Sequence, residues 1–135
     1  MKHKVSELTG GLLDAAVVAA RRTEGPDIRH QFSTHRVYGD ACRAYPGGAA
    51  YSPSTDWSQG GPIIEREGIA IAPYEHGIGE PSMWVAWVEE RQHQATFDSY
   101  FERGIFDDNS RGHTPLVAAM RAFVASKLGE EVELP

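Results

Sequence analysis

The chain has 135 residues, with 19 acidic side chains against 13 lysines and arginines and a formal net charge of -6. This length suits a single domain over residues 1–135. The acidic balance disfavours binding to nucleic acid, which needs a basic surface, but leaves a local basic patch open. Cys42 is the only cysteine, and no apolar run approaches the ~20 residues that cross a bilayer. We therefore expect a cytoplasmic protein without disulfides or membrane contact.

The first predicted helix begins at Ser6 or Thr9 and ends near Arg22. Its apolar face, at the 3.6-residue period, consists of Val5, Leu8, Leu12, Ala15, Ala16 and Ala19. Asp14 and Arg21 are expected on the opposite, narrow polar side. A helix this apolar should be packed on more than one side, against another helix of the chain or against a second copy.

The region after this helix carries weaker signals. Residues 34–38 are compatible with a short strand. Residues 41–50 include a Pro-Gly-Gly run and are expected to form a loop.

Residues 51–65 contain the densest local signals, namely two prolines, adjacent glycines, a Ser/Thr/Asp cluster and a tryptophan. Asp56 or Ser54 is the expected N-cap of a helix over residues 56–67, because short polar side chains there accept the unpaired N–H groups of the first turn. Gly68 is expected to end the helix.

Pro62 lies inside this predicted helix, where a proline costs ~3 kcal/mol. Two versions follow. The segment is either one kinked helix or a turn at 56–60 followed by a helix that opens at Pro62, where proline is favourable. Ile63 and Ile64 are expected to be buried in both versions.

The predicted strands lie in the second half of the chain. Residues 69–72 form a short strand that Pro73 stops, followed by a turn at 75–81. Residues 83–88 are apolar on both faces, which indicates a central strand covered on both sides. Residues 95–101 are expected to pair with it in the antiparallel sense.

A polar loop over residues 104–112 precedes the last predicted helix. Thr114 is its N-cap, Pro115 its first residue and Gly129 its terminator. Its buried stripe consists of Leu116, Val117, Met120, Phe123, Val124 and Leu128. Lys127 falls within that stripe and is expected to extend its amine to solvent.

Together these elements predict an α+β fold in which three helices pack on an antiparallel sheet of three or four strands. The sheet is centred on residues 83–88. Helices on both of its faces, an α–β–α sandwich-like arrangement, would account for the two apolar sides of the central strand.

The sequence contains no complete catalytic or cofactor-binding motif. A Gly-x-Ser-x-Gly elbow, a P-loop and a dinucleotide fingerprint are absent, and no two of the six histidines have helical metal-ligand spacing. We expect no catalytic residues, no metal and no cofactor, and we interpret Cys42 as a bystander thiol in a loop.

The candidate binding site is the polar stretch at the start of the second long helix, with a basic side chain of the last helix. Its residues are Ser54, Thr55, Asp56, Trp57, Gln59 and Arg121. Free N–H groups at a helix start attract anions, although the Asp56 carboxylate would repel one. In the alternative interpretation this stretch only caps a helix, and the tryptophan is buried in the core or an interface.

Three segments resemble the NinX family, small proteins of tailed phages and prophages. They are VSELTGGLLD at residues 5–14, YSPSTDWSQGGPIIERE at 51–67 and TPLVAAMRAFVASKLG at 114–129. The resemblance implies phage or prophage origin, the cytoplasm of a bacterial host, and helices packed on an antiparallel sheet. It brings no activity and no catalytic residues. Residues 26–50 and 89–112 match nothing in the family pattern.

Three functions remain open from the sequence. The leading hypothesis is a non-enzymatic phage accessory module that binds a protein partner or forms a homo-oligomer. The second is a small enzyme or small-ligand binder that uses residues 52–59 with Arg121 or His113. The third is an accessory role in phage nucleic-acid metabolism, for which Arg21, Arg22, Arg29 and Arg36 would have to form a basic cluster.

Overall fold

The computed structural model describes residues 1–74, 83–88 and 111–135. Within these residues the helices are α1 (Gly10–Arg21), α2 (Pro26–Gln31), α3 (Trp57–Glu67) and α4 (Pro115–Leu128). The strands are β1 (Lys2–Lys4), β2 (Arg36–Tyr38), β3 (Ala41–Arg43), β4 (Ala50–Tyr51), β5 (Ile69–Tyr74), β6 (Met83–Val88), β7 (Arg111–Gly112) and β8 (Glu131–Glu133). Single 3₁₀ turns at Val5–Glu7 and Arg22–Glu24 precede and follow α1.

The described strands form three antiparallel sheets. Strand β1 pairs with β8, β3 lies between β2 and β4, and β6 lies between β5 and β7. The central position of residues 83–88 is therefore confirmed. So is the α+β class, because three helices of 12, 11 and 14 residues accompany these antiparallel sheets. None of the described helices is both long and apolar enough to cross a membrane.

Two strand predictions were wrong. Pro73 does not stop the strand that begins at residue 69: β5 continues through it to Tyr74, and Pro73 lies opposite Trp84. In the described sheet β5 is an edge strand, where a proline without an N–H is tolerated. Residues 111–112 were assigned to a loop but form β7, paired with β6. Three other predicted segments lie outside the described residues, namely 75–81, 95–101 and 104–110.

Helix α4 lies at the centre of the core, in contact with β5, β6 and β7 and also with α1. Its predicted start is confirmed, because Thr114 Oγ1 accepts the Val117 N–H at 3.1 Å and Pro115 is the first residue. Three alanines are buried along with the apolar stripe, at positions 118, 119 and 122. The helix is therefore enclosed on most sides. Lys127 extends out of the stripe and places Nζ 3.4 Å from the Glu67 carboxylate of α3.

Helix α1 is packed on more than one side, and its neighbours within the described chain are α4 and the strands β2 and β3. It begins after Thr9; Ser6 lies in the preceding 3₁₀ turn and is not its N-cap. Two side chains lie on the opposite side of α1 from the one predicted. Leu12, expected on the buried apolar face, is 39% exposed, whereas Asp14, expected on the polar side, is only 3% exposed. A Cβ on Gly11 would lie 2.5 Å from the Asp40 carbonyl oxygen. This close approach turns the face that Gly11 shares with Asp14 towards the strands.

The region between α1 and α3 contains more structure than expected. Residues 34–38 do contain a strand, β2, but the predicted loop over 41–50 was wrong because it contains β3 and the start of β4. Helix α2 was also missed. These elements have two to six residues each, which is too few for a hydrophobic period to be recognised.

Helix α3 is continuous from Trp57 to Glu67 with Pro62 inside it, so the one-helix version is correct. Ile63 is fully buried and Ile64 half-buried. Burying an isoleucine contributes roughly 1.5–3 kcal/mol, which offsets much of the ~3 kcal/mol cost of an interior proline. Gly68 ends the helix with φ +65°, a left-handed conformation that glycine adopts without steric cost.

Candidate functional site

A cleft of about 250 Å³ lies where the start of α3 meets the start of α4. We call it the Trp57 cleft, and its described lining consists of Ser54, Thr55, Trp57, Thr114, Pro115, Leu116 and Val117. Three predicted site residues, Ser54, Thr55 and Trp57, are thus brought together with the first turn of the last helix. The other three do not line the cleft.

The cleft exists because α3 and α4 approach each other closely at Gly60. A Cβ at this position would lie 2.7 Å from Leu116 Cδ2 and even closer to the Pro53 carbonyl oxygen. Only a residue without a side chain fits there. Contact at Gly60 therefore fixes the separation of the two helix starts that form the cleft walls.

Trp57 is the most prominent side chain of the cleft. Its side chain is 54% exposed although it is the largest apolar group in this part of the molecule. The interpretation of Trp57 as a core residue is wrong. Exposed tryptophan beside an apolar wall is characteristic of surfaces that bind other molecules, because the indole gains most when a partner covers it.

Asp56 caps its own helix and does not face the cleft. Its Oδ1 accepts the Ser58 N–H at 2.9 Å and the Ser58 hydroxyl at 2.7 Å. These hydrogen bonds hold the pKa of the exposed Asp56 carboxyl below its ordinary value, so it is ionised at neutral pH. Asp56 thus supplies negative charge near the start of α3.

Gln59 also has a local role. Its Oε1 accepts the backbone N–H of Ser52, which fastens the loop before α3 to the first turn of that helix. The helix-capping interpretation therefore accounts for Asp56 and Gln59. Neither side chain is directed into the cleft.

Ser54 is buried and is held by Asp14 of α1. The Ser54 N–H donates to Asp14 Oδ1 at 2.8 Å, and the Ser54 hydroxyl lies beside the same carboxylate. Burial raises the pKa of Asp14, and the hydrogen bond from the Ser54 N–H counteracts part of that effect. The prediction missed Asp14 as the support of this loop. The available signal was an acidic residue in the middle of an apolar, alanine-rich helix.

Arg121 lies elsewhere in the molecule and has a structural role. Its Nε donates to the Leu8 carbonyl at 3.1 Å and its Nη1 to the Arg111 carbonyl at 2.9 Å. The buried guanidinium therefore joins α4 to the segment before α1 and to β7. His113 is exposed and does not line the cleft.

Two other kinds of site, a metal centre and an activated thiol, can be checked in the described residues. No group of three or more His, Cys, Asp or Glu side chains in the described ranges is arranged to hold a metal ion. Cys42 is not in a loop but in β3, and burial, followed by the nearby Asp14 carboxylate, raises the pKa of its thiol to about 11. The thiol is therefore protonated at neutral pH and is a poor nucleophile.

The fold and the cleft together define a small α+β protein with an aromatic surface cleft whose described lining carries no charged side chain. The chain belongs to the family described as Bacteriophage P22, NinX, whose sequence profile matches residues 4–127. The resemblance found in the sequence is thus confirmed, and the match supports a phage or prophage accessory protein. The match also spans residues 26–50 and 89–112, which were expected to fall outside the family pattern. No curated protein matches the chain at a significant level.

Proposed function

We propose that this phage accessory protein acts without catalysis, by binding a segment of another protein in the Trp57 cleft. The observation that carries the proposal is the exposed indole of Trp57 beside the apolar wall of Pro115, Leu116 and Val117. Tryptophan is the residue type most enriched among interface residues that dominate binding energy. The cleft volume is enough for one aliphatic or aromatic side chain of a partner.

Charge favours a basic segment as the occupant. Asp56, the residue before Trp57, is ionised and exposed, and the whole chain carries a formal charge of -6. A partner with Lys or Arg beside its apolar anchor would be attracted, whereas a second copy of this acidic chain would be repelled. We therefore infer a partner segment that combines one large apolar side chain with adjacent basic residues.

Partner segments can be sought in a display library of random peptides. Peptides are selected on the wild-type protein after depletion on Trp57→Ala, and their affinities are then measured by calorimetry. We expect selected peptides to share an aliphatic or aromatic residue next to Lys or Arg. Trp57→Ala should weaken their binding by at least about 2 kcal/mol, roughly thirtyfold in Kd.

The matched control is Tyr45→Ala, because Tyr45 is an exposed aromatic residue, at 63%, that does not line the cleft. It should bind the selected peptides as the wild type does. Failure to enrich any peptide on the wild type over Trp57→Ala would contradict the proposal. A dimer in light scattering that Trp57→Ala abolishes would instead assign the cleft to a second copy.

A further inference from the structure

A second cavity, of about 380 Å³, lies next to the C-terminal end of α1 and is lined mainly by polar residues. We call it the Arg22–Arg36 cavity; its described lining consists of Arg22, Ser33, Thr34, His35, Arg36, Tyr38 and Pro135. These residues bring two guanidinium groups, one imidazole and three hydroxyls together with Pro135, the last residue, whose terminal carboxylate is the one acidic group among them. In a chain of net charge -6, such a concentration of donors and positive charge is a local exception.

Arg22 is held rigidly in this cavity. Its Nε and Nη2 donate to the Phe32 carbonyl at 3.2 and 2.6 Å, and Nη2 also donates to the His35 carbonyl at 3.0 Å. These bonds fix the guanidinium and the loop of residues 33–35 relative to each other. A cationic group fixed before a ligand arrives loses little entropy on binding it.

Arg36 adds a second positive charge to the cavity, although another arginine, Arg43, lies beside it. It lies directly opposite Arg43 in the β2–β3 register, so both side chains are on the same sheet face. Like charges in such a pair destabilise the sheet, and the Arg36 guanidinium is placed 5.0 Å from the centre of the Tyr38 ring. The Asp40 carboxylate, 3.9 Å from Arg43, already offsets part of the charge of that arginine, and a bound anion would do the same for Arg36.

His35 contributes a polar atom that has no partner in the described protein. Its Nδ1 is buried without a hydrogen bond, and its ring is held edge-on against Phe32 at 4.9 Å between centroids. Burial, and then the charge of Arg22, lower the pKa of His35, so its ring is neutral at pH 7. An unsatisfied buried nitrogen costs stability unless a ligand or water pairs with it.

We propose that the Arg22–Arg36 cavity binds the phosphate group of a small phosphomonoester. A phosphate presents three strong acceptor oxygens, which matches two guanidinium groups and the hydroxyls of Ser33, Thr34 and Tyr38. The cavity is also within the ~300–1,000 Å³ range of small-molecule sites, which leaves space beyond the phosphate itself. A nucleoside monophosphate meets both conditions.

The test uses the full chain in phosphate-free buffer at low ionic strength. Inorganic phosphate, deoxyadenosine monophosphate and deoxyadenosine are titrated in turn, with calorimetry for affinity and the His35 ring resonances in NMR as the local readout. We expect both phosphate-bearing probes to bind and to shift the His35 resonances, and deoxyadenosine to do neither. Tighter binding of the nucleotide assigns the remaining space to its nucleoside, whereas equal affinities assign the site to the phosphate group alone.

Arg36→Gln is the decisive variant, because Arg36 is exposed and its replacement should leave the fold intact. Loss of one charge-assisted contact should weaken phosphate binding about tenfold. Arg29→Gln is the matched control: it removes the same charge from nearby α2 but does not line the cavity, so its affinity should equal that of the wild type. Absence of binding by both phosphate-bearing probes, or equal weakening in the two variants, would overturn the proposal. The Trp57 cleft is not involved, so peptide binding there should be unchanged in Arg36→Gln.

Discussion

At the scale of single residues, Asp14 shows how far a local pattern can mislead. Its position in α1 assigns it to a polar side, yet its side chain is buried and accepts the Ser54 N–H. The carboxylate supports the loop that leads into the Trp57 cleft. Burial disfavours the ionised form of this side chain, and the pKa of Asp14 is therefore raised.

We expect the stability of the protein to depend on pH through Asp14. Because the folded-state pKa lies above the ordinary value of 3.8, the contribution of Asp14 is fully present below the unfolded pKa and is lost as pH rises through the folded pKa. Asp14→Asn retains an acceptor for Ser54 without the charge. From about pH 4 to about pH 7, the free energy of unfolding of the wild type should therefore fall relative to that of Asp14→Asn, as urea denaturation would show.

The control for this prediction is Asp27→Asn, the same change on the exposed side of α2. An Asp27→Asn variant that reproduced the trend of Asp14→Asn would refute a specific role for the buried carboxylate.

At the scale of elements, α3 contains two adjacent glycines, of which only the first is crowded by neighbouring elements. Gly60 touches the Pro53 carbonyl and Leu116 of α4, whereas outside its chain neighbours and its own helix backbone nothing lies within 4 Å of a Cβ built on Gly61. The first glycine is required by the approach of two helices. The second has no contact with another element that a side chain would disturb, and it precedes Pro62.

This contrast makes a matched pair of substitutions. Gly60→Ala should destabilise the protein by about 1–3 kcal/mol, because the added methyl overpacks the contact with α4. Gly61→Ala should have a much smaller effect, because alanine favours the helix but here precedes Pro62, whose ring disfavours helical backbone at a residue with a Cβ. Thermal and urea unfolding of both variants measure the difference, and a similar effect of the two changes would count against the close approach at Gly60.

At the scale of the whole molecule, the two ends of the described chain are joined. Strand β1 pairs with β8, and the Leu134 N–H donates to the Met1 carbonyl at 3.1 Å. Val132 and Leu134 are buried in the same core cluster as α1 and α4. Strand β8 lies beyond the part of the chain that the family profile matches, yet it completes the core.

Leu134→Ala should therefore cost about 2–5 kcal/mol of unfolding free energy, as expected for a large-to-small change at a buried site. Glu131→Ala, in the same strand but exposed, should change stability by less than about 0.5 kcal/mol. Urea denaturation distinguishes the two outcomes. A small loss in Leu134→Ala, comparable to that in Glu131→Ala, would show that this end of the chain is dispensable for the core.

The sequence by itself determined the features that depend on neighbouring residues. Thr114 with Pro115 starts α4, Asp56 caps α3, and Gly68 ends it, because each signal acts within one turn of backbone. The two apolar faces of residues 83–88 likewise indicated a strand between two others. Of the six candidate site residues, Ser54, Thr55 and Trp57 line the Trp57 cleft, and their role in binding stays a prediction.

Only the tertiary structure decided which distant groups meet. The burial of Asp14, the second wall of the Trp57 cleft and the pairing of β1 with β8 all join segments that are far apart in the chain. The same holds for Arg22 and Arg36: the sequence raised them only as members of a hypothetical basic cluster, and it is the fold that places them, 14 residues apart in the chain, at one cavity. Such contacts follow from how helices and sheets pack as whole bodies, and close approaches at Gly11 and Gly60 set that packing. The local hydrophobic periodicity of the sequence carries no signal for these contacts.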